Sequence, residues 1–292
     1  MINHISNEIE RYFELKDTPE SSRESYRRRV LAFLKFLQAQ NKDSENITSR
    51  DVQDYILYLK QEKSLAPGTI NNYISSIRFY CIHVLGQDWE RNKIPRMKRK
   101  TKLPIVPPRE DIMVMLSAIK NLKHKSFLLL MYGSGLRVSE VAKLRIGDIC
   151  SKTMRVRVED AKHGTTRYTI LSKAALTTLR DYFRVFLAGT NHRSPEDWLF
   201  PGQDVQNHIN VKTIKNTIIK VRDRLGLDSR ISAHTLRHCF ATHALENGVK
   251  PAVIQQLLGH RNASTTAVYL HLTSKSMMGI ESPLDAYIGD PE

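Results

Sequence analysis

Between Arg91 and Lys102 the chain carries seven basic residues and no acidic one, in RNKIPRMKRKTK, and the following LPIVPP closes the stretch at Pro108. Proline removes a backbone donor and interrupts a helix, and unbalanced lysines and arginines resist burial. No core element is expected to run through such a segment. It therefore divides the chain into an N-terminal part, 1–90, a linker, 91–108, a second part, 109–272, and a tail, 273–292. A solvated linker accounts for the prolines but not for seven uncompensated charges; a linker lying against phosphates accounts for both.

The first part reads as helical. Tyr26, Val30, Phe33, Leu34 and Leu37 recur at helical spacing in RESYRRRVLAFLKFLQAQ, as one buried face requires. Thr48 or Ser49 is placed to cap a second helix carrying Val52, Tyr55, Ile56 and Leu59. A third starts near Ala66-Pro67-Gly68 and carries Ile70, Tyr73, Ile74, Ile77, Phe79 and Tyr80. The aromatic residues read as core packing. In the second part, helices are expected over 109–120, through KHKSFLLLMYGSG, and over 172–187, 211–225, 234–247 and 250–258. Only 153–171, TMRVRVEDAKHGTTRYTIL, alternates and is β-branched. It reads as a hairpin with Lys162-His163-Gly164 at or near the turn. The expected class is mainly α, with a small antiparallel sheet in the second part.

With 292 residues, 41% of them hydrophobic, the chain can bury one large core or two modest ones. Disorder is a poor fit, and three cysteines cannot staple a chain of this length. No run of 18 apolar residues suggests a membrane span. The opening MINHISNEIERYFELK lacks the basic and apolar regions of a signal peptide, so a cytoplasmic location is expected. The formal net charge is +15, large enough to imply a polyanionic partner. Residues 1–108 hold 19 basic and 13 acidic residues and residues 109–292 hold 26 and 17, so both parts are basic. The last twenty residues are net −3 and leave a body of +18. This distribution suits a protein that surrounds its polyanion.

Three short segments carry chemistry. In Gly133-Ser134-Gly135-Leu136-Arg137-Val138-Ser139-Glu140, the glycines allow a tight turn into a helix, and Arg137 and Glu140, three apart, would share a helical face; a surface ion pair is the plain alternative. In His234-Thr235-Leu236-Arg237-His238, His234 and Arg237 share a face while Leu236 points inward. In Leu257-Leu258-Gly259-His260, Tyr269 follows the histidine by nine residues.

In this order, GSGLRVSEV, HTLRHCFATHAL and LLGHRNASTTAVYLH resemble the first-arginine box, the His-x-x-Arg box and the second-histidine and tyrosine box of the tyrosine recombinases, the phage-integrase and Xer-like family. The resemblance spans nearly the whole chain. It implies an N-terminal helical, SAM-like core-binding domain, a basic linker and a mixed α/β catalytic domain. It assigns Arg137 as the first catalytic arginine, Glu140 as its supporting acid, Lys162 as the hairpin lysine, His234 and Arg237 as the histidine and second arginine, His260 as the second histidine and Tyr269 as the nucleophile. The family's hairpin text begins Gly-Lys-Gly; here it is Ala161-Lys162-His163-Gly164, a departure that bears on Lys162. The implied partners are double-stranded DNA with a specific core site, a homotetramer in the synaptic complex, and accessory DNA-bending proteins or a partner recombinase, with no membrane. Neither metal nor nucleotide cofactor is implied.

The residue types suit these roles. Two guanidinium groups can hold the non-bridging oxygens of a phosphodiester bidentately and stabilise its pentacoordinate transition state. A phenol, with a pKa of about 10 in water, is a weak nucleophile that gains from nearby cations. His234 is a candidate proton acceptor and His260 a donor to a phosphate oxygen, without a division of labour being readable. His234, His238 and His243 have partial zinc-helix spacing, but no Glu follows His234 and Arg237 would repel a cation; His238 and His243 read as packing or surface residues. Cys81, Cys150 and Cys239 share no catalytic spacing. A type IB topoisomerase would use nearly the same chemistry, and a silent DNA-binding protein would not need Tyr269. In the tail, Leu284, Tyr287 and Ile288 are expected as apolar anchors for docking into a neighbouring subunit.

Overall fold

The computed structural model describes residues 2–98, 104–160, 165–187, 194–260 and 262–270. The chain forms two compact units, Met1–Lys102 and Leu103–Glu292.

The first unit is built from α1 (Ile2–Leu15), α2 (Glu20–Ala39), α3 (Ser49–Gln61) and α4 (Pro67–His83). The helix α1 adds one element to the three read from periodicity. The predicted stripe of α2 is buried at Val30, Phe33, Leu34 and Leu37. Between the two candidate caps of α3, the chain uses Thr48: Asp51 N donates to Thr48 Oγ1 at 3.2 Å, and Thr48 N donates to Asp51 Oδ2 at 2.9 Å. This reciprocal pair satisfies two orphan amides at once. Pro67 opens α4 at its first turn, where its missing N–H costs nothing. Phe33, Tyr55 and Tyr80 are core residues, as the aromatic spacing suggested. The same core also takes Ile94, and the Asn71 amide holds the backbone of Met97 on both sides, Met97 N donating to Oδ1 and Nδ2 donating to Met97 O, each at 2.9 Å. The chain from Arg91 to Met97 is thus packed on the first unit.

The second unit comprises α5 (Arg109–Ser117), α6 (Leu122–Ser134), α7 (Val138–Ala142), β1 (Ile149–Cys150), β2 (Arg155–Asp160), β3 (Thr165–Ile170), α8 (Lys173–Tyr182), α9 (Val211–Arg224), α10 (Ala233–Glu246), α11 (Pro251–Leu258) and α12 (Ala263–Leu270). A π-helical turn, Phe183–Leu187, extends α8. The sheet has three antiparallel strands in the order β1-β2-β3, one more than the hairpin read from the sequence. Val156 faces Thr169 and Val158 faces Arg167. Since Val156 and Val158 are buried and cross-strand partners share a face, Arg167 and Thr169 point inward. Tyr168 and Ile170, the more apolar pair of that strand, are turned out and are 57% and 46% exposed. The hairpin turn, with Lys162, lies outside the described residues, as does the tail with Leu284, Tyr287 and Ile288.

Most buried residues of this unit form one core that runs from Ile112 to Cys239 in sequence. A second, smaller cluster gathers Phe240, Ala241, Ile254, Leu258 and Tyr269. It packs α12 against the middle of α10 and against α11.

Candidate active site

The site is organised around one carboxylate. The helix α6 ends at Gly135, which is left-handed (φ 67°), a conformation that glycine adopts without penalty. A Cβ there would also stand 2.7 Å from Leu258 Cδ2. Leu136 is then fully buried, and Arg137 lies in extended backbone (φ −71°, ψ 151°) as the residue that precedes α7. Arg137 and Glu140 therefore do not share a helical face. They meet because the Glu140 side chain folds back: Arg137 N donates to Oε2 and Arg137 Nη1 to Oε1, both at 2.7 Å. The Glu140 side chain is 8% exposed, so the surface ion pair is ruled out.

Two further arginines converge on it. Arg167, from the inward face of β3, binds Glu140 bidentately, Nη1 to Oε1 at 2.9 Å and Nη2 to Oε2 at 2.8 Å, and its Nε donates to Leu257 O at 3.0 Å. Its Cδ occupies the space a side chain at Gly259 would need, 2.7 Å from an ideal Cβ there. Arg237, on α10, is 4% exposed. It donates Nη1 to Gly135 O at 2.8 Å and Nη2 to Leu258 O at 2.7 Å, and lies 3.7 Å from Glu140 Oε2. Three guanidinium groups thus face one carboxylate, an arrangement with excess positive charge suited to a phosphate. Burial pushes the Glu140 carboxyl upward, but hydrogen bonds and charge from Arg167, the Arg137 amide and Arg237 outweigh it and hold it at about 2. Burial, with Arg137 close by, brings the Arg237 guanidinium down to about 10, so it remains charged at neutral pH.

The tyrosine and histidines lie within electrostatic reach of these arginines. Tyr269 is 3% exposed. Its hydroxyl shares a 2.9 Å hydrogen bond with His238 Nδ1, and its ring lies nearly parallel to that of His260, at 15° and 6.2 Å between centroids. Burial raises the phenol pKa, and Arg237 and Arg137 oppose that shift. His260 Nδ1 pairs with Thr266 Oγ1 at 2.9 Å. Burial first, then Arg237, Arg137 and Arg167, push the His260 ring down to about 4. In the free protein its NMR ring resonances should titrate around pH 4, leaving it neutral at pH 7; a midpoint near 6.5 would contradict this electrostatic picture. His234 and His238 are also shifted down, chiefly by burial, His234 next by Lys215 and His238 next by His234.

Of the seven residues singled out in the sequence, Arg137, Glu140, Arg237, His260 and Tyr269 converge here. His234 is on the same helix, exposed at its first turn, and Lys162 is not among the described residues. The structure adds two participants. His238, a packing or surface residue by its sequence position, touches the Tyr269 hydroxyl. Arg167 was not singled out; the signal was an arginine in the inward phase of an alternating strand. His243 does pack, its Nδ1 3.0 Å from Tyr132 Oη, and Cys239 is fully buried. Among the described residues, no group of three or more His, Cys, Asp or Glu is placed to hold a metal, and no helix is long and apolar enough to cross a membrane.

The sequence profile of the Phage integrase family matches residues 108–276, and that of the phage integrase N-terminal SAM-like domain matches residues 5–91. A protein of Sinorhizobium fredii named as an integrase/recombinase is 37% identical over 236 residues, 80% of this chain and 91% of that protein. Tyrosine recombinase XerA of Pyrococcus horikoshii is 31% identical over 79% of this chain and 78% of its own length. Tyrosine recombinase XerD of Rickettsia bellii is 30% identical over 94% and 95%. Among solved structures, the Tn1549 transposon integrase bound to transposon right end DNA superimposes with a TM-score of 0.72 at 17% identity, covering 97% of this chain and 99% of that one. XerH bound to its difH substrate gives 0.71 at 16% identity over 94% and 83%. The fold and these relatives define an enzyme that exchanges DNA strands. The chain belongs to the phage integrase family, the tyrosine recombinases.

Proposed function

We propose that this chain cuts and rejoins duplex DNA at a specific core site through a covalent tyrosyl intermediate. The observation that carries the proposal is the Tyr269 hydroxyl, buried beside Arg137 and Arg237, whose guanidinium groups are fixed by Glu140 and by main-chain carbonyls. Arg137 and Arg237 hold the non-bridging oxygens of the scissile phosphate, where charge develops in the transition state. The Tyr269 oxygen attacks phosphorus, forming a 3′-phosphotyrosyl bond as the bond to the 5′ oxygen breaks. Lys162, by its family position, protonates that leaving oxygen. A Thr266 hydroxyl donating to Nδ1 leaves His260 with Nε2–H as a donor toward a phosphate oxygen. A 5′-hydroxyl from a second duplex reverses the step, so the bond energy is conserved and neither metal nor nucleotide is called for.

Both units, Met1–Lys102 and Leu103–Glu292, would contact the duplex, and the basic residues of 91–102 would lie against its phosphates; the expected linker 91–108 is shortened at its start, because Ile94 and Met97 pack on the first unit. The unbalanced charges of 91–102 and the basic balance of both parts support this, as do the DNA complexes of the Tn1549 integrase and XerH. Four protomers would hold two sites and exchange strands in turn through a Holliday junction, in the cytoplasm where the DNA is, with accessory DNA-bending proteins or a partner recombinase as further components. The tail 273–292 would dock into a neighbouring protomer through Leu284, Tyr287 and Ile288. Deleting 277–292 should then leave DNA binding intact and abolish synapsis; unchanged recombination by the truncated chain would exclude docking.

The test is covalent trapping. The protein is incubated with nicked genomic fragments, adducts stable to detergent are isolated, and both the DNA and the modified peptide are sequenced. Attachment through Tyr269 at a recurrent site, with Holliday junctions formed from two such duplexes, is the expected result. Relaxation of supercoiled DNA by a monomer, without junctions, would instead point to a type IB topoisomerase.

A further inference from the structure

We infer that His238, which lies outside the residue set marked by the sequence motifs, takes the proton of the Tyr269 hydroxyl as that oxygen attacks phosphorus and returns it on religation. The inference rests on Tyr269 being the nucleophile. A hydroxyl that is 3% exposed with its residue needs an acceptor inside the protein. The neighbouring guanidinium groups of Arg137 and Arg237 can only donate. The Nδ1 atom of His260, whose ring lies alongside the tyrosine, is engaged by Thr266. The acceptor in contact is His238 Nδ1, at 2.9 Å.

The helix α10 explains the placement. Arg237 and His238 are consecutive, so one turn delivers both the phosphate-binding guanidinium and the ring that meets the nucleophile. Arg237 is tied to Gly135 and Leu258, and the same Leu258 packs with Tyr269. The ring and the hydroxyl are therefore positioned by one set of contacts. His234 stands one turn earlier and is exposed, while the hydrogen bond to the hydroxyl is made by His238. A neutral imidazole has one acceptor and one donor nitrogen. Burial and the charge of Arg237 favour the neutral ring here.

The step balances. The Tyr269 oxygen bonds to phosphorus as the bond from phosphorus to the 5′ oxygen breaks. The phenol proton moves to His238 Nδ1, giving an imidazolium, and the departing 5′ oxygen receives its proton from the leaving-group acid. In the reverse step a 5′-hydroxyl attacks phosphorus and gives its proton to the conjugate base of the leaving-group acid, the phosphorus–tyrosine bond breaks, and His238 hands its proton to the phenolate.

The test compares wild type, Tyr269→Phe, His238→Ala and His238→Gln in single turnover. The substrate is a nicked duplex carrying the sequence recovered by covalent trapping, used both as the ordinary phosphodiester and with sulfur at the bridging 5′ position. The glutamine amide can accept a hydrogen bond from the phenol but cannot take its proton, and it keeps the pocket filled should alanine disturb the fold. Both His238 variants should bind DNA like wild type and cleave about 100-fold more slowly, the range for loss of a general base. They should stay slow on the sulfur substrate, whose leaving thiolate needs no proton. Wild-type cleavage by His238→Gln would reduce the residue to a positioning contact and overturn the inference. Restoration of either variant by sulfur would place its action on the leaving group and overturn it too. An adduct formed by Tyr269→Phe would instead overturn the nucleophile assignment beneath it.

Discussion

A Tyr269→Phe chain is expected to bind its DNA site with nearly unchanged affinity and to form no covalent complex. The substitution removes one oxygen and leaves the ring that packs with Phe240, Ile254 and Leu258. The arginines proposed to meet phosphate, Arg137 and Arg237, are not anchored by Tyr269; they hang on Glu140, Gly135 O and Leu258 O. Binding and chemistry should therefore separate. The cost to folding is one buried hydrogen bond, to His238, about 1 kcal/mol with a partner left unpaired. Gel-shift titration and a detergent-resistant band assay read the two effects independently. A covalent band of wild-type intensity in the variant would remove Tyr269 from the chemistry.

The second large effect is at Glu140. Glu140→Gln preserves shape but leaves Arg137, Arg167 and Arg237 facing one another around a neutral amide. Breaking a buried ion network by removing one partner costs about 3–5 kcal/mol, a large part of a typical domain's stability. The pH dependence follows from the lowered carboxyl. Its pKa is about 2 in the folded chain against an ordinary 4.5, so the folded state binds the proton less readily than the unfolded one. The stabilisation is complete above pH 4.5 and is lost as pH falls toward 2, amounting to about 3 kcal/mol. Denaturant unfolding at pH 7 should show the variant well below wild type, with the gap closing near pH 2. An equal gap at both pH values would mean that the charge is not what holds the three arginines.

Much of the scaffold was legible in the residues. Apolar spacing located α2, α3 and α4 and the long helices of the second unit, because a buried face must recur every three to four residues. The alternating stretch at 153–171 announced β2 and β3, but its phase did not follow from composition. Tyr168 and Ile170 look like the inward pair, yet the register with Val156 and Val158 turns Arg167 and Thr169 inward. A one-residue shift of phase exchanges the two faces of a strand, and here the bidentate pairing of Arg167 with Glu140 compensates for burying a charge. The packing of Ile94 and Met97 on the first unit was likewise invisible, since neither belongs to a sustained periodic run, whereas α1 was legible: Ile5, Ile9, Tyr12 and Phe13 recur at helical spacing and Ile9 and Phe13 are buried.

The sequence by itself pointed to a division near the basic, proline-closed segment and to the mainly helical character, both of which depend on residue type and on spacing within a few turns. The ordered set Arg137, Glu140, Arg237, His260 and Tyr269 was marked by its resemblance to the tyrosine recombinases. Only the tertiary structure decided that Glu140 serves three arginines at once and that His238 is the histidine hydrogen-bonded to the Tyr269 hydroxyl. Those choices join Glu140 to residues 27 and 97 positions later and His238 to one 31 positions later. Local periodicity carries no information over such separations; they are set by how α7, β3, α10 and α12 pack, and by the requirement that each buried charge and hydroxyl find a partner.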